Sequence, residues 1–412
     1  MPLLTDIGCL ATCSSATPAD AALIPDAALA WSGGKVTWAG PERELPASLR
    51  DQETISAGGR LVIPGLIDSH THLAFGGWRA AEFEQRMRGA TYLEIAAAGG
   101  GIASTVAATR AASTDHLVER CRGFLGEMAR LGVTAVECKS GYGLDPDAEL
   151  RLLGIYRDLA PDAPVRLIPT FLGAHVVPPE FRGRRDEYVR LVVEEMIPVV
   201  GREGLARFCD VFVEDSAFTV DEARRILLAG RAAGLLPKLH ADQLTDGGGA
   251  ALAAEIGATS ADHLEHTSSD GIRALADAGV TAVSLPVATL YLGQRPLAAR
   301  QLLEAGVPVA VASDFNPGSA PSYHLPLAMT LACVLQGMTP AEALMGATSA
   351  AARASGLRDI AGSLEAGKSA DFAVMDAADV NQWLYHFQPN ACVLTVSRGR
   401  VTWDAGAAAG GG

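Results

Sequence analysis

The chain has 412 residues, 49% of them hydrophobic, and carries 33 Lys and Arg against 47 Asp and Glu, a formal net charge of −14. That length suits a barrel of roughly 250–300 residues plus a smaller domain. The acidic balance argues against nucleic acid as a partner, and no basic run offers itself to a membrane. The start "MPLLTDIGCLATCSSATPAD" has no cationic residues before an apolar stretch, so no signal peptide is expected, and no apolar run reaches the roughly 18 residues of a membrane span. The seven cysteines (Cys9, Cys13, Cys121, Cys138, Cys209, Cys333 and Cys392) are odd in number and scattered, with no C-x-x-C pair. They read as reduced thiols in a cytoplasm.

In chain order, the first element with a clear signature is "WSGGKVTWAG" (31–40), a strand, a glycine turn and an alternating strand. From about 61 to 360, short apolar runs alternate with helical stretches. The expected strands are "LVIPGLIDS", "VTAVECKS", "VRLIPTFLG", "CDVFVED", "LLPKLHAD", "ATSADHLE", "VTAVSLP" and "VPVAVASD". The expected helices include 114–132, 147–160, 219–234 and 268–279. Continuous apolar strands alternating with helices predict a parallel sheet buried on both faces. Eight such units predict an α/β fold, a closed (β/α)₈ TIM-like barrel over 61–360. A doubly wound open sheet is the alternative. It favours a glycine-rich phosphate turn after its first strand, and "AAAGGGIAST" (96–105) follows no clear strand.

Near the C-terminus "VSRGRVTWDAG" (396–406) repeats the opening hairpin pattern. Residues 1–60 and 361–404 are therefore expected to meet in a small β-sandwich domain, with 405–412 ("AGAAAGGG") as a disordered tail.

In such a barrel, reactive groups sit at the C-terminal ends of the strands. The polar residues expected there are His70, His72, Lys139, His175, His240, His263 and Asp314. The other histidines, His116, His266, His324 and His386, read as surface or packing residues. His70-x-His72 places two imidazoles on one side of a strand, because side chains alternate with period 2. An inert hydrogen-bonded loop pair is the plainer reading. A third histidine, His240, and the carboxylate of Asp314 favour a hydrolytic metal site instead.

These residues lie in longer patterns. "PGLIDSHTH", His240, His263, "SDFNPG" and "GSLEAGKSADFAVMD" resemble the amidohydrolase superfamily. "DSHTHLAFGGWR", "ECKSGYGL", "TFLGAH", "LHADQL", "SADHLE" and "ASDFNPGSAP" resemble more narrowly its imidazolonepropionase family, over nearly the whole chain. The His-x-His alone is weakly specific; the combination is much more so.

The resemblance implies a ring-opening hydrolase of histidine degradation, which turns the anionic 4-imidazolone-5-propanoate into N-formimidoyl-L-glutamate. It implies one zinc or iron ion, with His70, His72, His240 and Asp314 as ligands and Asp314 also accepting a proton from water. His263 is then a proton carrier, and Lys139 is expected in an ion pair. Arg79, Tyr142 and His175 are expected around the propanoate and neighbouring ring atoms. Gln243 is expected at the ring edge; several deaminases of the superfamily carry a proton-donating Glu there, which an amide cannot replace. Asn316, Gly318 and Ser319 are expected to bind the product carboxylate. The family is often dimeric, which makes a homodimer one expected assembly. Another cyclic amidase or aminohydrolase of the superfamily, and a non-catalytic scaffold, are the competing readings.

Overall fold

The structure, a computed structural model, describes residues 2–91, 94–95 and 98–409. Its centre is built from eight short strands: β6 (Leu66–Thr71), β7 (Val133–Lys139), β8 (Arg166–Ala174), β9 (Phe208–Val213), β10 (Leu236–Ala241), β11 (Ser260–His263), β12 (Thr281–Ser284) and β13 (Val309–Val311). Most of their residues are buried, as a sheet covered on both faces requires. The strands lie side by side in chain order, each pair parallel. The ring closes where Thr71 meets Phe315 in a parallel bridge, with His72 N donating to Phe315 O (2.8 Å) and Asp314 N donating to His70 O (3.1 Å). Sequential order and closure identify a (β/α)₈ barrel and exclude the doubly wound sheet.

Four of the longer helices between the strands start at side-chain caps. Ser113 caps Thr114–Arg130, Asp145 caps Pro146–Leu159, Ser268 caps Ser269–Ala278, and Thr219 with Glu222 forms a capping box on Val220–Ala232. Each cap satisfies a backbone N–H that the helix leaves unpaired.

The chain ends form a second sheet. It contains β1 (Leu3–Ala11), β2 (Leu23–Ser32), β3 (Lys35–Pro41), β4 (Thr54–Ser56), β5 (Leu61–Pro64), β14 (Phe372–Met375), β15 (Cys392–Ser397) and β16 (Arg400–Asp404). Its order is β16-β15-β14-β5-β1-β2-β3, with β4 also on β1. The two halves are thus hydrogen-bonded into one sheet through β5. They share a core in which Trp31 of β2 meets Phe372 of β14 edge-on at 5.0 Å. The two similar hairpins meet at their turns, Ala370 N donating to Gly34 O and Gly399 N to Ala370 O (both 2.9 Å).

Two boundaries differ from the sequence reading. "LVIPGLIDS" is not one strand: β5 belongs to the end sheet and β6 to the barrel, and the chain crosses at Gly65. A Cβ at Gly65 would lie 2.2 Å from Thr134 Oγ1, so the crossing needs a residue without one. The tail expected to be disordered is helical over Ala405–Ala409, and 410–412 lie outside the described residues. All seven cysteines are free, and among the described residues no helix is long and apolar enough to cross a membrane.

Candidate active site

Alternation along β6 turns His70 and His72 to the same side, and His240 joins them from β10. One ring nitrogen from each of the three lies within 4.8 Å of the others. Asp314 Oδ1 stands 3.4 Å from His70 Nε2 and 3.6 Å from His72 Nε2. All four side chains are buried.

The layer below fixes two of the rings. His70 Nδ1 donates to Asp262 Oδ2 (2.7 Å) and His240 Nδ1 to Asp210 (3.2 Å). Their Nε2 atoms are thereby left as lone-pair donors, and both are buried without a hydrogen-bond partner among the described residues. Lys139 Nζ joins this layer through Glu137 (2.9 Å), Asp210 (2.8 Å) and Asp262 (3.4 Å), and Lys238 Nζ donates to Ser69 O (3.1 Å). Three carboxylates and two ammonium groups are thus fully buried inside the barrel. Those carboxylates raise the Lys139 pKa against the opposing effect of burial. Lys139 therefore sits in an ion-pair network.

Burial, aided by Lys139, holds His70 and His240 well below the usual imidazole range; burial and the nearby His175 do the same for His72. Neutral imidazoles with orphaned lone pairs, beside a carboxylate, are what a cation requires of its ligands. The donor set therefore fits a divalent metal ion. Burial pushes Asp314 up to about 7 against the lowering effect of His263.

Above this cluster opens a cavity of about 810 Å³. His72, His240, His263 and Asp314 form its floor, and Arg79, Tyr142, His175, Gln243, Asn316 and Ser319 stand on its walls. His70 and Gly318 do not line it. Gly318 lies behind the wall, covered by the Arg79 guanidinium: a Cβ there would fall 1.1 Å from Arg79 Nη2. Among the described residues, the buried Nε and Nη1 atoms of Arg79 have no hydrogen-bond partner, and the nearest carboxylate, Glu82, is 3.8 Å away. Arg86, two helical turns on, donates to Tyr291 O (3.4 Å) and Gly318 O (3.3 Å).

Other walls are held by backbone clamps. Glu149 accepts N–H bonds from Gly141, Gly143 and Leu144 and so fixes the loop of Tyr142. His175 Nδ1 donates to Gly141 O (3.0 Å), and burial lowers its pKa to about 4, so its other nitrogen is an acceptor. That nitrogen can accept a hydrogen bond from a donor in the cavity that His175 lines. The Asn316 amide is spent on its own loop: Oδ1 accepts from Gly318 N and Ser319 N, and Nδ2 donates to Asp314 O and Ser319 Oγ. Asn316 and Gly318 thus shape the wall, and Ser319 keeps a hydroxyl hydrogen at its surface.

Residues 61–402 match the model of the amidohydrolase family. The chain is 51% identical over 380 residues to the imidazolonepropionase of Myxococcus xanthus, covering 92% of this chain and 90% of that one. It is 47% identical over 403 residues to the imidazolonepropionase of Geobacillus kaustophilus, with 95% of each covered. The chain belongs to the imidazolonepropionases of the amidohydrolase family. Two solved structures share the fold. A guanine deaminase of E. coli superposes with a TM-score of 0.72 at 17% identity, covering 98% of this chain and all of that one. The atrazine chlorohydrolase TrzN of Arthrobacter aurescens, solved with zinc, gives 0.69 at 18% identity, covering 98% and 95%.

Sequence reasoning expected Lys139 in an ion pair and missed the rest of the layer beneath the histidines. Its signal was present: Glu137 and Lys139, Lys238 and His240, and Asp210 and Asp262 are polar or charged residues set inside apolar strands, the first two pairs at the i, i+2 spacing of one strand face. Glu265 and Arg86 left no comparable mark.

Proposed function

We propose that this imidazolonepropionase hydrolyses 4-imidazolone-5-propanoate to N-formimidoyl-L-glutamate, breaking the ring bond between carbonyl carbon and nitrogen. The observation that carries the reading is Arg79. A buried guanidinium with two nitrogens unpartnered among the described residues stands on the same cavity as the histidine cluster, a carboxylate subsite beside a hydrolytic centre.

We assign one zinc or iron ion to His70, His72, His240 and Asp314. Bound there, it would supply Lewis acidity, polarising the ring carbonyl and lowering the pKa of water to about 7. The protein's own residues do the rest. Arg79 grips the propanoate, Ser319 donates to it, and His175 accepts a ring N–H. Gln243 faces the ring edge; its amide can donate and accept hydrogen bonds but supplies no proton, which disfavours deamination. Asp314 takes a proton from the attacking water, and His263 returns one to the leaving nitrogen. The nitrogen leaves as an amidine and the carbonyl carbon becomes a carboxylate. A cytoplasmic setting fits the free thiols.

The test is loss of the imidazolone ultraviolet absorbance with purified protein, beside metal analysis. His70→Ala and His240→Ala should abolish turnover and lower metal content while far-ultraviolet circular dichroism stays unchanged. Near-normal rates in both variants would sink the metal assignment. Turnover of a guanine or hydantoin in place of the imidazolone would move the chain to another branch of the family.

A further inference from the structure

β11 ends in a bend that few side chains favour. His263 and Leu264 both have left-handed backbones, with φ of 78° and 71°. The bend is pinned by Leu264 N donating to Ala241 O (2.9 Å) and His266 N to Asp242 O (2.8 Å). It carries the side chain of Glu265 back towards the His263 ring. The Glu265 carboxylate is buried, and its Oε1 accepts from Thr289 Oγ1 (3.1 Å) on the helix Pro286–Leu292. Its Oε2 lies 3.7 Å from His263 Nδ1.

Oε2 and Nδ1 are both buried and, among the described residues, neither has a hydrogen-bond partner. A buried carboxylate oxygen left unpaired is costly. This one is not spent on the cation cluster, and the His263 approach is the one ion-pair contact either group makes among the described residues. A carboxylate can only accept, so the arrangement favours the imidazole form that carries hydrogen on Nδ1. The opposite nitrogen, Nε2, then has its lone pair turned away from Glu265, and His263 lines the cavity.

We propose that Glu265, braced by Thr289, is a positioning residue that fixes His263 as its Nδ1–H tautomer and so presents Nε2 to the reacting atoms. This rests on the role given to His263 in the proposed hydrolysis. Glu265 itself touches neither substrate nor metal.

Glu265→Gln separates this role from a packing role. The amide has the same shape and can keep the Thr289 bond. Its NH₂, however, can turn to donate to Nδ1 and select the opposite tautomer, which places hydrogen on Nε2. In a Ser-His-Asp triad the same kind of exchange leaves geometry intact and lowers kcat steeply. The expected result is a fall in kcat of about 100-fold or more, the scale of a proton-transfer contribution, with KM, metal content and thermal midpoint unchanged. In protein labelled with ¹⁵N-histidine, the His263 shifts should report Nδ1–H in wild type and Nε2–H in Glu265→Gln. In a His263→Ala background the same substitution should cost nothing further. A kcat within about threefold of wild type, unchanged ¹⁵N shifts, or an equal loss in the His263→Ala background would each overturn the inference. A wild type that ignores 4-imidazolone-5-propanoate would instead defeat the functional reading, while the ¹⁵N measurement would still decide the tautomer.

Discussion

Gly318→Ala should disable substrate recognition without removing any charge. The added Cβ would fall 1.1 Å from Arg79 Nη2, 1.7 Å from Cζ and 2.2 Å from Nε. Ordinary carbon contact begins near 3.5 Å, so the guanidinium must retreat by about 2.4 Å. The backbone at 318 has no positive φ, and the atoms in the way are the far end of a flexible side chain. Folding should therefore be little affected, since glycine-to-alanine replacement at a compatible site stabilises by about 0.4–1 kcal/mol. Catalysis should not escape. A misplacement of about 1 Å can cost about 100-fold. The expectation is a 30- to 100-fold drop, roughly, in kcat/KM for 4-imidazolone-5-propanoate, carried mainly by KM. The assay is steady-state loss of imidazolone absorbance, run beside an analogue whose propanoate is replaced by ethyl. Wild type should handle that analogue badly, and Gly318→Ala should handle it no worse. An unchanged kcat/KM, or an equal loss on both substrates, would refute the argument that Arg79 anchors the carboxylate against Gly318.

Arg79→Met should lower kcat/KM for the natural acid by roughly 30-fold or more, because losing one partner of a desolvated charge pair costs about 2–5 kcal/mol; Arg79→Lys should rescue little, and full rescue by lysine would deny the forked contact. Gln243→Glu should retain measurable turnover and Gln243→Ala should chiefly raise KM; a kcat drop of about 10⁴-fold at constant KM would instead assign it direct proton transfer. Glu149→Ala leaves the N–H groups of Gly141, Gly143 and Leu144 without their acceptor. At about 1–3 kcal/mol for each buried group, thermal melting should shift downwards and KM should rise as Tyr142 loses its support; an unchanged melting curve would show that the clamp carries no load.

The histidine and carboxylate floor was legible because its information is local. His70 lies on β6 and His72 one residue past its end, and period-2 alternation puts them on one face. His240 and Asp314 end strands whose existence follows from apolar runs between helices. Lys139 could be expected in an ion pair, but its partners could not be named, because Asp210 and Asp262 arrive from β9 and β11, and only barrel closure brings them together. Gly318 was expected at the product carboxylate; that it also leaves room for the Arg79 guanidinium depends on how the loop after β13 folds against Arg79. Glu265 escaped because two successive left-handed residues turn it back, and neither His263 nor Leu264 advertises that conformation. The β5–β6 break was hidden in one unbroken apolar run, since both sheets demand the same kind of residue.

That break at Gly65 also sets a timetable for synthesis. β5 pairs with β1 on one side and with β14 on the other, Pro64 lying opposite Phe372. The N-terminal hairpin emerges from the ribosome early, but its sheet cannot be completed until nearly the whole chain has been made. The barrel strands, each beside its predecessor, can assemble in the meantime. Until the last hairpin arrives, β5 presents an open hydrogen-bonding edge only a few residues from His70, the kind of exposed edge that invites wrong pairing. Nascent chains arrested before residue 372 should therefore be the species most in need of chaperone protection.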